Sequence, residues 1–176
     1  AEDFQPVLDE VTRRTGLPIA LEGVYRWVAF LPSRVDGRVP VGNRYFGAFL
    51  DGSVKVRGLE ARRRDTPAWI ANAQMTILKI LAKAETLAGV YNLIPGALAL
   101  LHGEWRDFRA GRVPLEDLLL SQRLGQELGE YRARSPVARA VWQLQRAGKT
   151  IQPGQKVCYL FTRGKPGVYA WDLGNP

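Results

Sequence analysis

Asp51-Gly52 stands between two runs of alternating character, Arg44 to Leu50 and Val54 to Ala61. An Asp-Gly pair in that setting is a strong hairpin signal, because both residues tolerate the backbone angles of a tight reversal. In the second run Lys55 and Arg57 alternate with Val54 and Val56, so the cations share one strand face and the valines the other. Gly58 then leaves room for another backbone to come close. A basic strand face opening on space is a phosphate-binding device in outline. The same pattern also describes a solvated hairpin edge, on which lysine blocks edge-to-edge aggregation.

The surrounding pattern predicts what this hairpin joins. Phe4, Leu8 and Val11 recur at helical spacing after a capping Asp3, and Gly16 with Pro18 ends that helix. Ile19 to Leu31, rich in β-branched and aromatic residues, reads as a long strand, and 33–40 as a loop around Asp36-Gly37. Thr66-Pro67 is a cap followed by a first-turn proline. Ile70, Ala73, Ile77, Leu81 and Ala84 line one face of the helix it starts, down to about Leu87. A second helix is expected from near Pro95 to Ala110, with Leu98, Leu101, Trp105 and Phe108 inward and Gly111 at its end. Pro114 to Gly129 carries another helical patch. Ser135-Pro136 opens a further helix with Val137, Val141 and Leu144 inward, stopped by Gly148. Pro153-Gly154 turns the chain into a strand at 156–162, paired with 168–171. The expected fold is α+β: antiparallel strands with a helix over 1–65, then a mostly helical part with a short C-terminal β-hairpin over 66–176.

At 176 residues the chain has length for one domain or two small ones. No run of 18 or more apolar residues occurs, which argues against a membrane partner. Cys158 is the only cysteine, which excludes an internal disulfide and a cysteine-built metal cluster. A cytoplasmic setting follows by default, nucleoid-associated if the source is prokaryotic. Net charge is +8, and its distribution says more than its total. Between Tyr131 and Ala170 there is no acidic residue, yet Arg132, Arg134, Arg139, Arg146, Lys149, Lys156, Arg163 and Lys165 fall there. The interleaved Trp142, Tyr159, Phe161 and Tyr169 mark that stretch as folded, and its one-signed charge points to nucleic acid.

Lys55-Val56-Arg57-Gly58-Leu59-Glu60-Ala61-Arg62-Arg63-Arg64-Asp65 resembles the (K/T)xRG(L/I)E…RRD stretch of family B DNA polymerases, which there closes the palm and leads into the thumb. The flanking features agree in order. Leu21-Glu22-Gly23-Val24-Tyr25 resembles a palm strand, and Asn43-Arg44-Tyr45-Phe46-Gly47 occupies the place of the KKRY(F/A)G motif. Leu120-Ser121-Gln122-Arg123-Leu124-Gly125-Gln126 resembles the thumb's I(T/S)KxLxK, followed by Glu130-Tyr131, Ser135-Pro136-Val137 and Gly148-Lys149-Thr150-Ile151-Gln152-Pro153-Gly154. Each motif is short, but the ordered set covers nearly the whole chain.

The resemblance implies a palm part over 1–65 and a thumb, truncated or genuinely short, over 66–176. It implies a primer-template DNA partner and a grip of backbone contacts from arginine, lysine and tyrosine. Arg44, Tyr45, Lys55, Arg57 and Arg62 carry over on the palm side, and Ser121, Arg123, Tyr131, Arg132 and Arg139 on the thumb side. The family's metal-binding carboxylates sit in DxxSLYPS and YGDTDS segments, and neither occurs here. Magnesium and catalysis are therefore expected elsewhere in the complete polymerase, in a missing N-terminal portion or a separate catalytic subunit, and the isolated chain is expected to be inactive. Glu22 and Glu60 map to peripheral acidic positions; they also read as ordinary strand residues, one of them paired with Arg26 or Arg62. His102, in an apolar helix, and Cys158, alternating in a strand, read as packing residues. Gly42, Asn43, Gln122 and Gln126 stand where the family usually has lysines, so the grip is short of cations. A non-catalytic duplex-binding or scaffold module derived from an inactive polymerase is the alternative reading.

Overall fold

The computed structural model describes residues 4–131 and 135–174. They form two compact units: Ala1–Leu59 with Thr76–Leu100, and Glu60–Met75 with Leu101–Pro176. The helix expected at the start is α1 (Gln5–Thr15), with a proline in its first turn and Gly16 left-handed (φ 71°) at its end. The proposed Asp3 cap lies outside the described residues.

The first unit holds an antiparallel sheet in the order β1 (Tyr25–Pro32), β2 (Pro40–Phe49), β3 (Val54–Arg57). The β2–β3 hairpin forms where the sequence places it, through a three-residue loop. Phe49 N–H donates to Ser53 O at 2.9 Å, Gly52 N–H closes the turn on Phe49 O at 3.0 Å, and Gly52 adopts φ 84°. The Asp51 carboxylate accepts from the Ser53 amide and hydroxyl at 2.8 and 2.7 Å, which pulls its pKa down. The first strand is shorter than its composition predicts. Leu17, Ile19 and Leu21 are exposed, because β2 offers partners only from Tyr25 onward.

Trp27, Phe46, Ala48, Val56 and Leu59 make the buried layer of this unit together with Leu78, Ala82, Ala84 and Ala97 from the helical segments. Trp27 stands edge-on to Phe46, and its Nε1 donates to Ala84 O at 2.8 Å, so the buried indole is hydrogen-bonded. Gly58 behaves as its sequence context demands. With φ 63°, a Cβ there would lie 2.2 Å from Asn43 O of β2.

Helices α2 (Ala68–Leu81) and α3 (Val90–Arg109) follow. The first stops at Leu81 rather than near Leu87, and the second begins five residues before Pro95, which sits inside it. Leu98, Leu101, Trp105 and Phe108, expected inward, are 47%, 45%, 52% and 36% exposed. The face of α3 that packs is the one bearing Ala97, while rings at the other end stack on each other: Phe108 lies 4.9 Å from Trp69 and 5.5 Å from Trp105. His102 is likewise exposed rather than packed.

In the second unit a sheet in the order β4 (Leu120–Arg123), β5 (Lys156–Phe161), β6 (Val168–Ala170) packs on α4 (Pro136–Arg146). The α+β class and the C-terminal hairpin are as the sequence predicts, but the helical patch at 114–129 is not. That stretch contains single 3₁₀ turns at Leu115–Leu118 and Leu128–Glu130 around a strand that extends the hairpin to three strands. Pairing with β5 overrides the local helical spacing. Helix α4 follows its sequence closely. Ser135 Oγ accepts from the Ala138 amide, and Val137, Val141 and Leu144 are buried against Val157, Tyr159, Val168 and Ala170. Gln143 clamps β6 through both amide atoms, donating to Val168 O at 2.8 Å and accepting from Ala170 N–H at 3.1 Å.

Candidate nucleic-acid interface

In the first unit, cross-strand pairing decides which candidates meet. Tyr45 lies opposite Arg57 and Gly47 opposite Lys55, so Tyr45, Lys55 and Arg57 share one sheet face. Arg44, one residue earlier in β2, belongs to the opposite face and is half-buried. Gly47 leaves space on the shared face for the Tyr25 ring, which a Cβ would approach to 2.9 Å. Burial pushes the Tyr25 hydroxyl pKa up, the adjacent Tyr45 hydroxyl adds to the shift, and Arg57 opposes it. Arg57 is exposed, whereas the Lys55 side chain is only 17% exposed and forms an ion pair with Glu22. Glu22 therefore pairs with Lys55 rather than Arg26, and Arg26 reaches Glu85 at 3.4 Å.

In the second unit the β4–β5 register does the assembling. Arg123 lies opposite Lys156 and Ser121 opposite Cys158, so Ser121, Arg123 and Lys156 line one face. They border an open groove of about 840 Å³, completed by Arg64, Asp65, Gln122, Gly125 and Tyr131. Two backbone anchors fix its wall: Arg123 Nη1 donates to Gly154 O at 2.6 Å, and the Tyr131 hydroxyl accepts from Gly125 N–H at 3.1 Å.

Electrostatically the groove is dominated by cations. Its carboxylate, Asp65, accepts two hydrogen bonds from the Arg63 guanidinium, at 3.0 and 2.7 Å, which hold its pKa down and Arg63's up. Arg64, Arg123 and Lys156 remain as exposed cations, and none of them pairs with a carboxylate among the described residues. Phosphate oxygens need what this wall offers: Arg123, Lys156 and the Ser121 hydroxyl on the sheet, with Arg64 and the Tyr131 hydroxyl beside it.

The remaining candidates are placed separately. Arg62 is exposed in a single 3₁₀ turn (Glu60–Arg62), and Arg139 lies on α4 outside this groove. Arg132 lies outside the described residues. Glu60 contacts Arg63 at 3.5 Å and accepts from the Thr66 hydroxyl at 3.2 Å, rather than pairing with Arg62. Gln122, standing where a lysine was expected, accepts from the Tyr159 hydroxyl at 2.9 Å, so its amide serves the fold. Sequence reasoning missed Arg64 and Lys156 as groove residues. The signal for Lys156 is its pairing with Arg123, which a helical reading of 114–129 conceals. Among the described residues, no three His, Cys, Asp or Glu side chains gather to hold a metal ion. The described residues do not fit a magnesium site. No helix among the described residues is long and apolar enough to cross a membrane.

A mixed fold of two small antiparallel sheets with a cation-rich groove defines a class that comparison with known proteins narrows. The family profile "DNA polymerase family B" matches residues 42–173. DNA polymerase 2 of Aeropyrum pernix is 26% identical over 168 residues, covering 96% of this chain and 19% of that protein. The DNA polymerase of Methanocaldococcus jannaschii is 30% identical over 118 residues, covering 67% of this chain and 7% of that protein. The structure of the family B DNA polymerase from the hyperthermophilic archaeon Pyrobaculum calidifontis shares the fold, with a TM-score of 0.65 at 20% identity over 99% of this chain and 21% of that one. The chain belongs to the family B DNA polymerases. It spans about a fifth of the length of the A. pernix relative and of the P. calidifontis polymerase.

Proposed function

We propose that this chain is the C-terminal palm and thumb portion of a family B DNA-directed DNA polymerase, and that it grips primer-template DNA through its backbone. The observation that carries the proposal is the groove in the second unit, where Arg64, Arg123 and Lys156 stand with Ser121 and Tyr131 around one neutralised carboxylate. Such a wall binds phosphates without reading bases, which is what a polymerase needs from a duplex of arbitrary sequence. Tyr45 and Arg57 form the second proposed contact, on the sheet face of the first unit. Nucleotidyl transfer is assigned to carboxylates outside this chain, with magnesium bound there.

The test is binding of the chain to labelled primer-template, blunt duplex and single-stranded DNA across a salt series. The expected result is tighter binding of primer-template or duplex, with affinity falling steeply as salt rises. Duplex affinity indifferent to salt, or no duplex binding at low salt, would overturn the proposal.

A further inference from the structure

Beside the groove, and sharing Tyr131 with it, the second unit contains a separate cavity of about 650 Å³, within the size range of small-ligand sites. Its chemistry differs from that of the groove. Trp142 contributes an indole that is 44% exposed, and Ala138 and Pro166 add apolar wall. Arg139 and Lys165 supply positive charge, and no acidic side chain is among the described residues lining it.

Three details show that the cavity is built. Arg139 Nη1 donates to Pro166 O at 2.6 Å, which pins the guanidinium, and a Cβ at Gly167 would approach that same nitrogen to 3.1 Å. Arg139 Nε is buried and has no hydrogen-bond partner among the described residues, so one donor of the guanidinium is left unmet. Arg146 lies 4.8 Å from the centroid of the Trp142 ring, holding the indole from one side.

We propose that this cavity is a nucleotide pocket, in which a planar base stacks on Trp142 while its phosphate is held by Arg139 and Lys165. An aromatic plate beside pinned cations suits a flat ring carrying an anion, and it suits single-stranded more than paired nucleic acid, since a base within a duplex has no free face. The pocket rests on the nucleic-acid reading of this unit, but the groove contacts only backbone, whereas the pocket requires a base. The ligand is either a free nucleotide or an unpaired nucleotide of a strand.

The experiment compares a short oligothymidylate with an abasic strand of equal length, with thymidine monophosphate and with duplex, on the unmodified chain and on Trp142→Leu and Arg139→Gln. Stacking one base on an aromatic ring tightens binding by roughly fivefold to a hundredfold. The oligothymidylate is therefore expected to exceed the abasic strand by about that factor. Trp142→Leu should erase the difference and leave abasic and duplex affinity unchanged, whereas Arg139→Gln should weaken both single strands. Saturable binding of thymidine monophosphate would identify a free nucleotide as ligand, and binding of the strand alone an unpaired nucleotide within it. Equal affinity for the two strands, or a difference that survives Trp142→Leu, overturns the pocket. Salt-dependent duplex binding with no base-dependent difference would overturn the pocket and leave the groove standing. The reverse pattern would overturn the groove alone.

Discussion

Neutralising Arg64, Arg123 and Lys156 together, each to glutamine, tests the groove at its electrostatic root. Each phosphate neutralised by a cation contributes about 0.9 to the slope of log affinity against log salt, so the triple change should flatten that slope by about 2.7. Between about 50 and 200 mM salt this is a roughly fortyfold smaller loss of affinity than the unmodified chain shows. The groove's Asp65 does not offset the change, because Arg63 already neutralises it. Arg123 also donates to Gly154 O, so its replacement costs about 1 kcal/mol of stability, whereas Lys156→Gln alone leaves that contact intact and should flatten the slope by about 0.9. Anisotropy of a fluorescent primer-template across the salt series reads the slope directly. Removing the exposed Lys79, Arg106 and Arg109, which do not line the groove, makes the same change in net charge and should move the slope far less. A folded triple variant with an unchanged slope, or one matched by this control, would refute the reasoning.

Other expectations are structural. Gly58→Ala should destabilise the chain by about 2–5 kcal/mol in urea denaturation, because the left-handed backbone and the 2.2 Å approach to Asn43 O both resist a Cβ. Gln143→Leu removes both clamps on β6 and leaves the Ala170 amide unsatisfied, a loss of about 1–3 kcal/mol that should appear as faster hydrogen exchange at 168–170. Leu144→Ala, at a fully buried position of α4, should cost about 2–5 kcal/mol by the same denaturation assay. The Asp51 pKa is lowered by the Ser53 hydrogen bonds, so its contribution is fully present above the unfolded value of about 3.9 and is lost as pH falls through the lower folded value. Asp51→Asn should therefore reduce the acid-side fall in melting temperature, and an unaltered profile would contradict that assignment.

The features legible in the sequence are those set by nearby residues. The β2–β3 turn follows from Asp51-Gly52, the start of α4 from Ser135-Pro136, and the buried face of α4 from the spacing of Val137, Val141 and Leu144. The need for glycine at position 58 was visible too, although its partner, Asn43 O, was not. Family membership was likewise written in ordered short motifs, since these preserve local chemistry that survives overall divergence.

Tertiary structure decided everything that depends on a partner distant in the chain. Whether 120–123 is helix or strand rests on β5, some thirty residues later, and only that pairing sets Lys156 beside Arg123. Periodicity places Leu98, Leu101, Trp105 and Phe108 on one face of α3, but it does not say which face will be covered, and another one is. Lys55 reads as an open cation until the fold of the first unit brings Glu22 to it, while Arg64 gains its place in the groove from long-range packing within the second unit. Sequence spacing determines direction along a helix or strand; only the packed chain determines what lies in that direction.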